Sequence, residues 1–275
     1  MVLSEFTPSL NLTEFVRVYR VVHFVFNDIT KIPFKPYPPR PEHCLSFYPR
    51  DTETVEYVNN GAKIKNLNTV LIGQQSEVTN RFVGKDFLVF QVVFSPSGLY
   101  RLTGIPSQQL NNCYFDAETI FAKEIKEVND KLNDATNFKE MVVVVESFLL
   151  KQINKGVKEF HRLDYVNNLI LKADKILNVE WLAKESCLSL RQYERKFIER
   201  MGVSPRYFSK VVRFEKAFRM KNKFPHLDWL TIAINCGYYD YQHLSKEYQK
   251  FTQKLPAEFH DLESPEGLLG EYDTY

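Results

Sequence analysis

The sequence predicts a two-domain α+β chain. A β-rich half built as a small barrel or sandwich, with flanking helices, is followed by an all-α half of two helix-turn-helix units joined by a linker helix. Three observations predict it. Runs of strand-forming residues punctuated by Pro and Asn-Gly fill the first 115 positions. A short apolar helix, a Gly turn and a second helix with a polar outer face occupy Asp228 to His260, and the same pattern occurs about 50 residues earlier. Charge is also split along the chain. Residues 1–157 hold 17 Lys+Arg against 17 Asp+Glu, residues 158–260 hold 19 against 12, and residues 261–275 hold none against 5. At 275 residues one or two domains are expected, and 44% hydrophobic residues, with 14% aromatic, give each half material for a core.

In the first half Val16–Phe26 combines strong strand formers with partial alternation. His43–Tyr48, Thr54–Val58, Asn68–Ile72 and Phe87–Phe94 are further strands. Pro33, Pro36, Pro38, Pro39 and Pro41 separate the first two, and Asn59-Asn60-Gly61 marks a hairpin. Phe24, Phe26, Phe47 and Phe90 either line an apolar pocket or fill the barrel core.

Ala117–Leu132 carries Phe121, Ile125, Val128 and Leu132 at helical spacing, a stripe that packs on its own barrel or pairs with a second copy. Asn137–Ile153 is a second helix despite the β-branched run Val142–Val145. Lys155-Gly156 is the expected linker, giving domains 1–155 and 158–260, with 261–275 an acidic tail expected to be disordered.

Arg162–Ala173 opens the second half with Leu163, Val166, Ile170 and Ala173 on one face. Asn178 caps the first helix of unit one. Ser189 caps the second, with Gln192 completing a capping box. Ser204-Pro205 starts a helix that ends before Pro225, spans roughly 27 Å, and buries Phe208, Val211, Val212 and Phe218. Arg206, Lys210 and Arg213 read as solvated surface, or as phosphate contacts. In unit two Leu230, Ala233 and Ile234 form the expected inner face of the first helix. Gly237 makes the turn, Asp240 caps the second helix, and Leu244, Tyr248 and Phe251 point inward. A helix held this way has the geometry to enter a DNA major groove, and the excess of 7 positive charges on 158–260 reads as a phosphate-binding footprint.

The segments LAKESCLSLRQYERKFIERMGVSP and IAINCGYYDYQHLSKEYQKFTQKLP resemble the double helix-turn-helix domain of AraC/XylS-type transcription regulators. The resemblance covers about Leu163 to His260. It implies a cupin-like β-barrel in the first half that senses a small-molecule effector or dimerises, with Ala117–Leu132 as the dimer contact. It also implies double-stranded DNA as partner, a cytoplasmic location at the nucleoid, and RNA polymerase as a further partner if the regulator is an activator. On it, the base-contacting positions fall on Arg191, Glu194 and Arg195 in unit one and on Tyr241, Gln242, Ser245 and Lys246 in unit two. Arg can pair bidentately with guanine, Gln with adenine, and Glu can accept from cytosine. Taken singly, each also reads as a solvated helix face. Ala183, Phe197, Pro205, Ala233, Gly237, Tyr248 and Pro256 fall on the motif's structural positions. Cys187 stands where the first turn usually has Gly, and Gln253 and Leu255 depart from the pattern before Pro256.

No enzyme is expected. There is no Gly-rich phosphate loop, nucleophile elbow or paired metal-binding histidine motif. His23 and His43, one per strand, read as ordinary polar or core residues rather than metal ligands, so no cofactor is implied. Cys44, Cys113, Cys187 and Cys236 are scattered, which fits reduced thiols. No signal peptide or membrane-length apolar run is read. The rival is an enzyme or carbohydrate-binding module in the first half, tethered to DNA by the second. One form of it is an alkyl acceptor using Cys44, which would need an activated thiol.

Overall fold

The computed structural model describes residues 2–26 and 35–263. The first half is two antiparallel sheets. The larger runs β1 (Val2–Phe6), β2 (Val16–Val25), then a long central strand at Asp86–Phe94, Cys44–Phe47, Thr69–Ile72 and an edge at Tyr114–Asp116. Numbered along the chain, with β3 at Lys35–Tyr37, β5 at Glu53–Tyr57, β6 at Lys63–Ile64 and β8 at Thr79–Val83, its order is β1-β2-β9-β4-β7-β10. The smaller sheet is β3-β8-β5-β6. Pro33 lies outside the described residues. The five strands expected from alternation are all present. Those missed are short or polar: β3, β6, β8 and β10 carry too little periodicity, and β1 pairs only with β2 at an edge.

Strand alternation gives the larger sheet two buried faces. Leu45, Phe47, Leu71, Phe90, Val92 and Phe94 face the helices, while Val18, Val22, Cys44, Val70, Phe87 and Val89 face the smaller sheet. Phe47 and Phe90 are fully buried on the helix side, whereas Phe24 packs with the inter-sheet core and beside Phe26 at 6.0 Å. Of the two readings, the core one fits Phe47, Phe90 and Phe24, which strand parity sends to opposite faces of the sheet rather than to one cavity. Between the sheets Arg17 and Arg20 hold Glu42 at 2.9 and 3.1 Å.

The helices follow: α1 (Gly98–Thr103), α2 (Glu118–Phe121), α3 (Lys123–Asp134) and α4 (Phe138–Lys155). The single helix expected over Ala117–Leu132 is broken at Ala122, whose φ is 50°. The break lets Phe121 meet Phe148 edge-on at 5.4 Å while Ile125, Val128 and Leu132 enter the core against α4. Of the two readings of this apolar stripe, packing within its own domain is the one found. Asn137 caps α4, accepting from the Glu140 amide at 3.0 Å.

The second half is α5 (Arg162–Lys172), α6 (Val179–Glu185), α7 (Leu190–Met201), α8 (Pro205–Lys223), α9 (Trp229–Asn235), α10 (Tyr241–Thr252) and α11 (Pro256–Glu263). Of the acidic stretch 261–275, residues 261–263 close α11 and 264–275 lie outside the described residues. The long α8 serves both units. Phe208 and Val212 enter the core of α5, α6 and α7, and Val211, Phe214, Ala217 and Phe218 enter that of α9, α10 and α11.

Candidate nucleic-acid interface

Each unit is two helices whose ends are closed by side chains. In unit one Asn178 Oδ1 accepts from the amides of Glu180 and Trp181 at 2.7 and 3.0 Å. Ser189 Oγ accepts from the Gln192 amide at 3.3 Å, and Gln192 Oε1 accepts from the Ser189 amide at 3.1 Å. This is the capping box expected from the sequence, and it satisfies donors that a helix start leaves open. Tyr193, Phe197 and Met201 bury the inner face of α7 against Leu182 and Ala183. That rotation leaves Arg191, Glu194 and Arg195 exposed at i, i+3 and i+4, a common outer stripe. Arg206 and Lys210 at the start of α8 line the same cleft as Glu194, so cationic groups flank the exposed face of α7.

Unit two repeats the design. Asp228 accepts from the Thr231 amide at 2.9 Å, and Asp240 from the His243 amide at 2.7 Å. Gly237 takes φ 75° at the turn. Leu244, Tyr248 and Phe251 are buried, while Tyr241, Gln242 and Lys246 are exposed and Ser245 half-buried. The inner face of α9 differs from expectation. Ile232 and Ala233 are buried, but Leu230 and Ile234 are 54% and 55% exposed. Trp229, stacked edge-on to Tyr248 at 5.4 Å, takes the inward place and turns that pair outward. Pro205 and Pro256 are both buried first-turn residues of their helices.

Arg213 also departs from the surface role expected for it. Its guanidinium is buried, donates to Glu247 Oε2 at 2.5 Å and to the Gly237 carbonyl at 3.4 Å, and lies over the Tyr238 ring at 4.0 Å. One side chain of α8 thereby ties down the turn and the second helix of unit two. Sequence spacing gave no sign of it, because Glu247 lies 34 residues away.

The first half offers no activated nucleophile at Cys44. Burial, reinforced by the Glu42 carboxylate, pushes its thiol up to about 12. A cysteine nucleophile needs the opposite shift. His23 binds Asp86 at 2.9 Å beside Arg50. His43 is buried, and burial pulls its pKa down to about 4. Its Nε2 lies 3.3 Å from the Met201 carbonyl of α7. Among the described residues no cluster of His, Cys, Asp or Glu is arranged to hold a metal ion, and no helix is long and apolar enough to cross a membrane.

The family model described as a helix-turn-helix domain matches residues 182–261. No curated protein matches the chain. Among solved structures, ToxT from Vibrio cholerae is 13% identical, with 89% of this chain and 97% of ToxT covered at a TM-score of 0.47. An AraC-type regulator from Chromobacterium violaceum is 21% identical over 38% of this chain and 95% of its own, at 0.35. The DNA-binding domain of AdpA, solved with a target DNA, is 21% identical over 37% and 92%, at 0.35. The match over residues 182–261, with two capped units in tandem, makes the C-terminal half of this chain a helix-turn-helix domain.

Proposed function

We propose that the chain reads one non-palindromic site on double-stranded DNA with both recognition helices. In this reading residues 158–260 bind DNA in the cytoplasm, and residues 1–155 modulate that binding, through a small-molecule effector or through self-association. The observation that carries it is the pair of outer stripes, Arg191/Glu194/Arg195 on α7 and Tyr241/Gln242/Ser245/Lys246 on α10, presented by helices fixed to a single linker helix. Arg195 and Gln242 are the strongest base readers, because a guanidinium and a carboxamide can each form paired hydrogen bonds to a purine edge. Lys246, Arg206 and Lys210 supply phosphate contacts, which position the protein without reading sequence.

The test is selection of bound duplexes from a random library by the full chain, repeated with Arg195→Ala and Gln242→Ala. Each variant is expected to lose about 1–3 kcal/mol on the selected site and to relax the preference at one base position. Equal losses on selected and random DNA would reduce these side chains to phosphate contacts.

A further inference from the structure

The carbonyls that end a helix have no partner within it and need donors from elsewhere. At the C-terminal end of α7 those donors come from the other half of the chain. Ser107 Oγ donates to the Arg200 carbonyl at 2.7 Å. Asn111 Nδ2 donates to the Gly202 carbonyl at 2.5 Å. The His43 Nε2, at 3.3 Å, faces the Met201 carbonyl between them. Three successive carbonyls, the last two of α7 and that of its capping Gly202, are therefore met by three side chains that lie 91 to 158 residues away.

The surrounding contacts make the seat rigid. The Ser97 amide donates to Met201 Sδ at 3.2 Å, and Asn167 of α5 donates to Ser97 Oγ at 3.2 Å. The Arg200 guanidinium reaches Asp164 of α5 at 3.0 Å and lies 4.7 Å from the centre of the Tyr100 ring. His43, Ser97, Ser107, Asn167 and Arg200 are all buried. Gly202 takes φ 82°, and a Cβ there would overlap Asn111 Oδ1, so the chain passes as closely as a backbone can. Unit two is held differently. Arg213, Tyr238 and Asp240 of the C-terminal domain itself hold α10, and the first half reaches the linker helix α8 rather than the end of α10, through Arg40 and Glu215 at 3.9 Å and through the Tyr207 hydroxyl, which donates to the Ser76 carbonyl at 3.5 Å.

We propose that Ser107, Asn111 and His43 are positioning residues for DNA reading: they cap α7 from the N-terminal domain and so set the pose of the first recognition helix, while the second is set internally. This rests on the DNA reading proposed above and says where the N-terminal domain acts on it. The seat grips the end of α7 and leaves Arg191, Glu194 and Arg195 exposed, so the docked pose is one that can read. Whatever changes the segments carrying His43, Ser97 or Ser107–Asn111 then changes unit one first.

The experiment is quantitative footprinting of the full chain on its selected site. Patch one is defined as the patch altered by Arg195→Ala and patch two as that altered by Gln242→Ala. Asn111→Ala and Asn111→Asp each remove the amide donor, and the second keeps the side chain's size. Ser107→Ala removes the neighbouring donor. Loss of one such hydrogen bond is expected to weaken patch one by about fivefold and to leave patch two within about twofold. Thermal unfolding of each variant identifies any that fails to fold, and Ser107→Ala, the smallest change, is the variant of record if Asn111 proves essential for folding. Equal weakening at both patches, no weakening, or tighter binding at patch one would overturn the proposal. A wild-type footprint without two patches would instead remove the DNA reading beneath it.

Discussion

Arg213 on the linker helix and Glu247 on the second recognition helix form an ion pair of 2.5 Å in which both side chains are buried. The Tyr238 hydroxyl donates to the same carboxylate at 3.1 Å. Two charges so far from water are costly to separate. Glu247→Ala strands a guanidinium in the core and is expected to destabilise the chain by about 3–5 kcal/mol. Replacing both partners at once, Arg213→Met with Glu247→Leu, should recover most of that loss. Chemical denaturation of the single and double variants measures it, and a double variant no more stable than Glu247→Ala would contradict the account.

Two turns are closed by residues other than glycine. Cys187 takes φ 56° at the turn of unit one, and Gln253 takes φ 61° at the end of α10. Both side chains are exposed, so little packing is lost when they are removed. Cys187→Gly and Gln253→Gly should each stabilise by about 1 kcal/mol, because the left-handed region costs an ordinary residue roughly that much more than glycine. Gly237→Ala, at φ 75°, should shift stability the other way. Melting temperatures of the three variants check the signs.

His43 makes stability depend on pH. Burial holds its folded pKa at about 4 against an unfolded value of 6.5. The unfolded chain therefore binds the extra proton first. The stabilisation from keeping the ring neutral is complete above pH 6.5 and is lost as pH falls toward 4, by about 3 kcal/mol in all. Carboxylates titrate in the same range, so the measurement is the difference between wild type and His43→Gln. That difference should narrow from pH 7 to pH 4; a constant difference would show that His43 does not titrate in this way.

Local chemistry made much of the fold readable in the sequence. Ser189 with Gln192, Ser204 with Pro205, and Asp240 each announce a helix start within four residues, and each is found capping one. The long strands β2 and β9 announce themselves by alternation. What stayed hidden depends on distant partners. Nothing near Arg213 points to Glu247, and nothing near Asn111 points to Gly202. The apolar stripe of α3 reads equally as a core face or a dimer face, and only the position of α4 decides. Phe24 and Phe47 look alike in sequence but fall on opposite faces of one sheet, since strand parity has to be known before a pocket can be drawn. Leu230 and Ile234 mislead for a related reason. On a helix of 7 residues the choice of inner face rests on one large side chain, and Trp229 makes it.

Both recognition helices are proposed to read DNA together. The linker helix has 19 residues and is therefore about 28 Å long, close to the roughly 34 Å between successive major-groove faces on one side of B-DNA. The direct measurement is binding of monomeric protein to its selected site, with and without about five base pairs inserted between the two protected patches, which rotates one patch to the opposite face. Affinity is expected to fall by about two orders of magnitude, because simultaneous engagement is lost. Unchanged affinity after the insertion would mean that only one helix-turn-helix reads DNA, and the roles given to Tyr241, Gln242, Ser245 and Lys246 would fall.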